Sequence, residues 1–280
     1  MGDGFVYGIR GITMSGNICV VGGGMNLRKH ITMEGLDAIR NSASTMVITG
    51  DFDTARQVLA FHDVLHPIID LMPLYEDGGL DEDNYERILN AILDEVLRVS
   101  SVTVIVNGDP LVGMSWWNKL KDSPRFQGSI RLIPGISSMV NAFYSINRDP
   151  IEAGCIVVDA NRFLLFQYEV THELDLLILD ICSTGTRRTF LSDPSKESQW
   201  DFLCNVLEKN YPLDHMAYFV FCEMHDTSAT IASPTKIGEL REGLKKIIFG
   251  SSLLIPACDP ASLSYSFLRK LLTANRVEHP

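Results

Sequence analysis

The sequence predicts an α/β fold of two lobes, with a mostly parallel sheet in the N-terminal lobe and a mixed sheet in the C-terminal lobe. Over residues 17–138, short apolar runs alternate with amphipathic segments, which is the pattern of βαβ units and a parallel sheet. Beyond about residue 140 the connections lengthen, and two helical segments are recognisable beside four apolar runs. That change of pattern predicts a second α/β unit with a mixed sheet.

Length and composition set the limits of the interpretation. The chain has 280 residues, 46% of them hydrophobic and 21% charged, which is typical of a soluble globular protein with ample core. We divide it into an extension over residues 1–16, an N-terminal α/β lobe over 17–138 and a C-terminal α/β lobe over 139–280.

Charge and targeting signals exclude several classes of partner. The formal net charge is −11 and no stripe of Lys and Arg appears, so nucleic acid is not an expected partner. No apolar run approaches the roughly 18 residues of a membrane span, and the first residues form no signal peptide. We therefore expect no membrane partner and a cytoplasmic location. The six cysteines form no Cys-x-x-Cys pair, and His62 and His66 lack a third ligand, so no metal site is predicted.

The predicted elements of the first lobe follow in order. A strand over 17–21 runs into Gly22-Gly23-Gly24, a turn without the spacing of a dinucleotide fingerprint. Thr32 begins a helix, residues 52–61 form another, and Asp81 is placed as the cap of a third. Tyr75 precedes an acidic turn over 75–79 that we expect to be mobile. The remaining predicted strands of this lobe cover residues 45–49, 68–71, 103–106 and 129–133.

The stretch from residue 103 to residue 115 is where we expect a ligand to bind. Residues 103–106 read as a strand buried on both faces, and it ends in a loop over 107–113. In open α/β sheets ligands lie at the carboxyl ends of strands. Gly108 and Gly113 allow close approach of the main chain, Pro110 stiffens the turn, and Asp109 offers a carboxylate. The alternative is an ordinary strand-to-helix turn with Asp109 as a cap.

Further turns at strand ends supply other candidates. Residues 134–138, Pro-Gly-Ile-Ser-Ser, form a tight turn with two hydroxyls. In the second lobe we predict strands over 155–158, 174–181, 216–221 and 251–255, with helices over 199–209 and 262–272. Asp180, Cys182 and residues 250–252 then lie at strand ends, although each alone is also ordinary strand-end chemistry. Tyr85 shares the apolar stripe of its helix, so packing in the core is the alternative to a functional role.

Four features in this order resemble the tetrapyrrole methylase superfamily of S-adenosylmethionine-dependent methyltransferases. They are the glycine turn at 20–24 with Ile31-Thr32 after it, Tyr75, the loop Gly108-Asp109-Pro110, and the turn at 134–138. Within that superfamily, residues 149–155, 159–164 and 211–215 are most similar to borosin-type peptide backbone α-N-methyltransferases. The resemblance extends over residues 17–272.

The resemblance implies a cofactor, a set of site residues and partners. S-adenosylmethionine would lie in a trough between the two lobes, with S-adenosylhomocysteine as product. Tyr75 and Tyr85 match two tyrosines that line the family's substrate site. The acceptor would be a precursor peptide bound in trans, and the enzyme a homodimer. The residues that would touch the cofactor are Gly108, Asp109, Pro110, Val112, Ser137, Asp180, Cys222, Gly250 and Ser252.

One position departs from the family's pattern and keeps alternatives open. Four residues before Tyr85, where the family has a catalytic arginine, this chain has Asp81. Either Arg87 or Arg56 supplies the cation, or the acceptor differs, or activity is weak or absent. The alternatives to peptide methylation are therefore methylation of a tetrapyrrole or another small molecule, and a cofactor-binding partner protein with impaired catalysis.

Overall fold

The computed structural model describes residues 16–114, 116–222, 230–258 and 263–274, and in these residues ten strands form two five-stranded sheets. The predicted extension over 1–16 lies outside the described residues except for Gly16. The first sheet has the order β3-β2-β4-β1-β5 and all its pairs are parallel. Its strands are β1 (Asn17–Gly22), β2 (Ser44–Ile48), β3 (Ile68–Asp70), β4 (Ser101–Val106) and β5 (Ser129–Ile133).

The second sheet has the order β6-β7-β10-β8-β9. The pair β6–β7 is parallel and the other three pairs are antiparallel. The predicted fold class, a parallel N-terminal sheet and a mixed C-terminal one, is confirmed. The strands are β6 (Cys155–Asp159), β7 (Asp175–Leu179), β8 (Met216–Phe221), β9 (Ile231–Lys236) and β10 (Ser252–Ile255).

Helices connect and cover the strands. Helix α4 buries the predicted apolar stripe of Ile88, Leu89, Ile92 and Val96 against the first sheet. The helices are α1 (Leu27–His30), α2 (Met33–Arg40), α3 (Phe52–Phe61), α4 (Asp81–Val99), α5 (Trp116–Lys121), α6 (Ser138–Ser145), α7 (Ala160–Phe166), α8 (Trp200–Asn210), α9 (Leu240–Leu244) and α10 (Tyr265–Ala274). Among the described residues no helix is both long and apolar enough to cross a bilayer.

Strand β4 lies at the centre of the first sheet, between β1 and β2. Its residues from Val102 to Val106 are buried, which explains why its sequence is apolar without alternation. Strand β9 was not predicted, because its sequence contains Pro234 and is largely exposed. It is an edge strand paired only with β8, and proline is tolerated at such an edge.

The prediction that Asp81 caps α4 is wrong. The N-cap position is Leu80, which makes no side-chain capping bond, and Asp81 is the first residue of the helix. Its carboxylate instead accepts a hydrogen bond from the Tyr75 hydroxyl, with a distance of 3.1 Å between the two oxygens. An acidic residue in the first turn still interacts favourably with the helix dipole.

Two sets of contacts join the sheets. An apolar cluster brings Met25 and Phe143 of α6 against Leu177, Val220 and Leu254 of the second sheet. The turn over 75–79, expected to be mobile, and the start of α4 are tethered to the other half of the chain: the Gly78 amide donates to the Thr189 carbonyl at 2.9 Å, and the Asp81 amide donates to the Arg187 carbonyl at 3.0 Å. The division of the chain near residue 138 stays a prediction.

Candidate active site between the two sheets

Three glycines bring the ends of β1, β4 and β5 into backbone contact. A Cβ added to Gly22 would lie 2.5 Å from the Gly135 nitrogen and 2.7 Å from the Gly108 oxygen, distances that no side chain tolerates. Gly108 also has φ of +69° and pairs with Gly24 through two backbone hydrogen bonds. Glycine is required here because the two predicted turns, at 107–113 and 134–138, pack directly on the end of β1.

Asp109 braces this junction. Its Oδ1 accepts from the Leu111 amide at 2.8 Å, and its Oδ2 accepts from the Gly135 amide at 3.1 Å. These bonds brace the turn and the junction, but α5 begins only at Trp116, so Asp109 is not the helix cap that the sequence left as the alternative to ligand binding. A cofactor hydroxyl could reach only the lone pairs that remain. Pro110 is buried and its carbonyl accepts from Trp117 Nε1, while the Val112 amide donates to the Asp109 carbonyl.

The other predicted cofactor residues lie along the same line of contacts. Ser137 caps α6, its hydroxyl accepting from the Val140 amide, and its Cα lies 3.9 Å from where a Cβ on Gly108 would be. Cys222 Sγ is 3.6 Å from the Ser138 carbonyl oxygen. Two residues before Cys222, Val220 pairs with Ser252 across β8 and β10. The structure thus brings the turns near 109, 137, 222 and 252 together.

Asp180 and Gly250, the last two predicted cofactor residues, lie at the adjoining ends of β7 and β10 in the second sheet. Asp180 ends β7 with φ of +56°, and Cys182, two residues on, lies with its Sγ 4.0 Å from the Ser251 carbonyl oxygen beside Gly250. The Asp180 carboxylate lies 3.8 Å from where a Cβ on Gly113 would be. It therefore lies next to the loop after β4, and we call the region where these two loops meet the groove. Asp180, Gly113, Asp81 and Tyr85 line it.

The groove has an anionic floor. The Asp180 side chain is open to solvent, yet the protein around it raises its pKa to about 6, mainly by desolvation, with Asp159 and Asp81 adding repulsion. A side chain that is itself exposed but has many protein atoms around it lies at the bottom of a cleft. Within the described residues, the Asp180 carboxylate makes neither a hydrogen bond nor an ion pair. Such a carboxylate fits a cationic ligand.

Two phenols lie close to the acidic residues of the groove, Tyr75 to Asp81 and Tyr85 to Asp81 and Asp180. The Tyr75 hydroxyl is bonded to Asp81, and Thr189 hydrogen-bonds to both of them from the second half of the chain. Burial raises the pKa of Tyr75 and of Asp81 above their ordinary values. Burial also raises the pKa of Tyr85 to about 12, with Asp81 and Asp180 adding to the effect. Both phenols therefore stay protonated at neutral pH, and both line the groove as well as packing on the core.

Neither arginine that the sequence offered as a substitute cation bonds to Tyr75 or Asp81. Arg56 lies on α3 and pairs with Asp53 at 3.6 Å. Arg87 donates from Nε to the Leu74 carbonyl at 3.0 Å and from its guanidinium to Asn84 and Glu76. The charged groups that act on Tyr85 are both acidic. In the part of the chain that the structure describes, the departure at Asp81 is therefore not compensated by these side chains.

Thr189 was missed by the sequence analysis. It lies in the polar stretch over 183–198, which has no periodicity, and only the tertiary fold brings it to Tyr75. The Leu191 amide and the Ser192 hydroxyl each donate to the Asp77 carboxylate at 2.6 Å, which fixes this stretch over the turn. No local signal in the sequence indicates this contact.

The arrangement defines a class of protein: two α/β units whose strand ends meet at a candidate ligand groove, with the carboxyl ends of β4 and β7 and the amino end of β10 close together. S-adenosylmethionine fits it in chemistry, because it carries a sulfonium and an ammonium that suit the unpaired Asp180 carboxylate, and because main-chain glycines at Gly108 and Gly113 leave room for close approach. Asp180 and the turn residues around Gly108, Ser137 and Cys222 would hold it.

The chain belongs to the Tetrapyrrole (Corrin/Porphyrin) Methylases family, whose sequence profile matches residues 17–224. It is similar to a "methyltransferase/ribosomally synthesized type I borosin cyclic peptide precursor" of Coprinopsis marcescibilis, with 24% identity over 93% of this chain and 68% of the relative. It is also 24% identical to a "methyltransferase/ribosomally synthesized cyclic peptide dendrothelin A precursor" of Dendrothele bispora, over 82% of this chain and 54% of the relative. The predicted family and methyltransferase class are thereby confirmed.

Solved structures agree on the fold. The methyltransferase CobJ covers 89% of this chain with a TM-score of 0.57 and 14% identity, and 97% of its own chain is matched. A cobalt precorrin-4 methyltransferase, CbiF, covers 87% with a TM-score of 0.58 and 14% identity, and 96% of its own chain is matched. Uroporphyrin-III C-methyltransferase from Thermus thermophilus, solved in complex with S-adenosylhomocysteine, covers 86% of this chain with a TM-score of 0.57 and 14% identity, and 97% of its own chain is matched.

Proposed function

We propose that the chain N-methylates backbone amides of a separately supplied precursor peptide, using S-adenosylmethionine bound in the groove. The observation that carries this proposal is the pair of phenols in the groove, with Tyr75 bonded to Asp81 and Tyr85 close to Asp81 and Asp180. The relatives, both named as methyltransferases joined to precursors of ribosomally synthesized cyclic peptides, support a peptide as the acceptor. The cofactor residues are those predicted from the sequence, with Asp180 as the anionic contact and Asp109 as the brace of the loop.

Methyl transfer from a sulfonium is an in-line displacement, so the protein must align the donor carbon and the acceptor atom in a water-poor cleft. An amide nitrogen is a poor nucleophile because its lone pair is delocalised into the carbonyl. The protein therefore has to withdraw the amide proton and stabilise the negative charge that develops on the carbonyl oxygen. Phenol groups suit both tasks, because each can donate one hydrogen bond and accept others.

The acidic groove selects among acceptors. Asp81, Asp159 and Asp180 repel polycarboxylates, so the tetrapyrrole alternative is disfavoured although the solved neighbours include tetrapyrrole enzymes. A peptide with a basic or neutral leader segment meets no such repulsion, and the net charge of −11 acts in the same direction. We propose that the peptide is supplied in trans and that the two meet in the cytoplasm.

A homodimer is part of the same proposal. Helix α10 carries an apolar face that the described residues do not cover: Phe267 is 60% exposed and Leu272 66% exposed. An amphipathic helix gains most of its stability by burying such a face. A second copy of the chain is the partner we propose for it, because family members are commonly homodimers. Sedimentation equilibrium tests this, and a monomer at micromolar concentration would contradict it.

The test of function is co-expression with short open reading frames that neighbour the gene, followed by mass spectrometry of the peptides. We expect mass increments of single methyl groups, located on backbone nitrogens by fragmentation. Tyr85→Phe should abolish methylation and leave the affinity for S-adenosylhomocysteine nearly unchanged. Full turnover in that variant would refute the role of Tyr85, and methylation of a tetrapyrrole but of no peptide would refute the proposed acceptor.

A further inference from the structure

The hydrogen-bonding roles of the two phenols differ. The Tyr75 hydroxyl proton points to Asp81 Oδ1 at 3.1 Å, so this hydroxyl offers only lone pairs to a third group. The Tyr85 hydroxyl makes no hydrogen bond to any residue that the structure describes, so its proton is available. A secondary amide presents one donor and one acceptor. Its N–H therefore suits Tyr75, and its carbonyl oxygen suits Tyr85.

Asp81 is placed to take a proton from Tyr75. Its carboxylate is about half-buried and is bonded to Tyr75 and to both the side chain and the amide of Thr189. None of these bonds is to a cation. Burial without a cation makes a carboxylate a stronger base, and it raises the pKa of Asp81 above the ordinary range. Where the family has a positively charged arginine, this chain therefore has a carboxylate that can act as a base.

We propose that Asp81 is the final acceptor of the amide proton, which it receives through the Tyr75 hydroxyl while Tyr85 donates to the amide oxygen. The inference rests on the proposed function, and it identifies the residue that allows methyl transfer without an arginine at this position. Asp81 does not touch the substrate, so it is a positioning and proton-accepting residue behind Tyr75.

The step balances. The amide nitrogen forms the new N–C bond, and the C–S bond of the donor breaks with its electron pair remaining on sulfur. The N–H proton moves to the Tyr75 oxygen as the phenolic proton moves to Asp81 Oδ1, and Asp81 later releases that proton to solvent. The donor loses its positive charge and one proton is released, so the total charge is conserved.

Several charged or titratable groups surround Asp81 and bear on its behaviour with pH. Thr189 holds it from the second half of the chain, and the nearby arginines are engaged elsewhere: Arg187 with Glu82, and Arg188 with the Gly78 carbonyl at 2.7 Å. The titratable groups that act on it are Tyr75, Tyr85 and Asp180. Desolvation raises the pKa of Asp81 and the nearby Asp180 adds like-charge repulsion, whereas the hydrogen bond from Tyr75 favours the ionised carboxylate and lowers that pKa.

The test compares Asp81→Asn, Asp81→Glu and a control, Asp83→Asn, which makes the same charge change on an exposed side chain in the same turn. Asparagine keeps an oxygen that accepts from Tyr75 but cannot take its proton. We expect Asp81→Asn to lower the single-turnover methylation rate about 10²- to 10⁴-fold. The affinity for S-adenosylhomocysteine should stay within about twofold. The control should match the wild type, and Asp81→Glu should recover part of the rate.

The pH profile separates this role from a merely structural one. Because only ionised Asp81 accepts the proton, the wild-type rate should fall as the pH drops through the pKa of Asp81. Asp81→Asn should lack that limb in its residual activity. A rate within threefold of wild type with the limb retained would overturn the proposal. So would an Asp81→Glu variant no better than Asp81→Asn, or loss of S-adenosylhomocysteine binding in both.

A measurement without turnover keeps the inference testable if no peptide is methylated. Ultraviolet titration of tyrosinate, with Tyr75→Phe as the reference, reports the ionisation of Tyr75. Asp81 raises the pKa of this phenol by its charge and by accepting its proton, so Asp81→Asn should lower it. An unchanged titration curve would refute the contact. Absence of methylation in the wild type would refute the proposed function alone.

Discussion

Gly135→Ala is predicted to open the junction that shapes the groove. Gly135 does not have left-handed backbone, so alanine is penalised by contact alone. The added Cβ would lie 2.6 Å from the Gly22 oxygen and 2.7 Å from the Gly22 carbonyl carbon, and nearer still to the Gly108 oxygen. These are backbone atoms, which cannot change rotamer. Ordinary contact requires one of the loops to retreat by about 1 Å, and overpacking of this kind costs about 3 kcal/mol.

The loss is measurable in two ways. For a chain of 280 residues, about 3 kcal/mol lowers the melting temperature by about 5 °C. A loop displaced by about 1 Å should also lower the methyl-transfer rate about 10²-fold, because alignment of the reacting atoms is lost. Gly238→Ala is the matched control, since its added Cβ would lie 3.2 Å from the Leu213 oxygen and 3.3 Å from the Leu213 Cβ, a much milder contact. A Gly135→Ala variant that melts and binds S-adenosylhomocysteine like the control would refute the reasoning.

Three further predictions concern charge and buried polar groups. The pKa of Asp180 is about 6, and it is the ionised carboxylate that binds a cation. The affinity for S-adenosylmethionine, measured by calorimetry, should therefore be full above pH 7 and fall up to tenfold for each pH unit below 6. The affinity of Asp180→Asn should not change with pH. Arg148→Leu should destabilise the protein by about 3 kcal/mol in urea, because the fully buried Asp175 carboxylate loses its 2.8 Å partner, and a loss under 1 kcal/mol would contradict this. Asn84→Ala should cost about 2 kcal/mol, because the buried amide holds the Glu76 amide at 2.8 Å and its carbonyl at 3.0 Å; unchanged unfolding would exclude that role.

The order of strands and loops in the first half was predictable because each element has a local signal. Strand β4 is an unbroken apolar run because neighbours cover both its faces, and the glycines at 108 and 135 mark turns that pack on backbone. The predicted bounds of α3, β5 and β8 agree with the structure to the residue. Local patterns of this kind come from the burial of a single element, so they are visible without the fold.

The contents of the groove were only partly predictable. Resemblance to a family indicated Tyr75, Tyr85 and Asp180, but the partners of these residues come from distant parts of the chain. Thr189 lies more than a hundred residues from Tyr75 and has no pattern around it. Asp81 was placed as a cap by its position, and its actual partner depends on the orientation of a side chain. Contacts of this type depend on tertiary packing, which a sequence pattern does not encode.

A crystal structure of the protein with S-adenosylhomocysteine tests the central claim most directly. We predict that the ligand lies in the groove, with its amino group at Asp180 and its remaining contacts from the turns at Gly108–Val112, Ser137, Cys222 and Ser252. A ligand bound elsewhere on the protein, with Asp180 facing only solvent, would contradict the assignment of the groove.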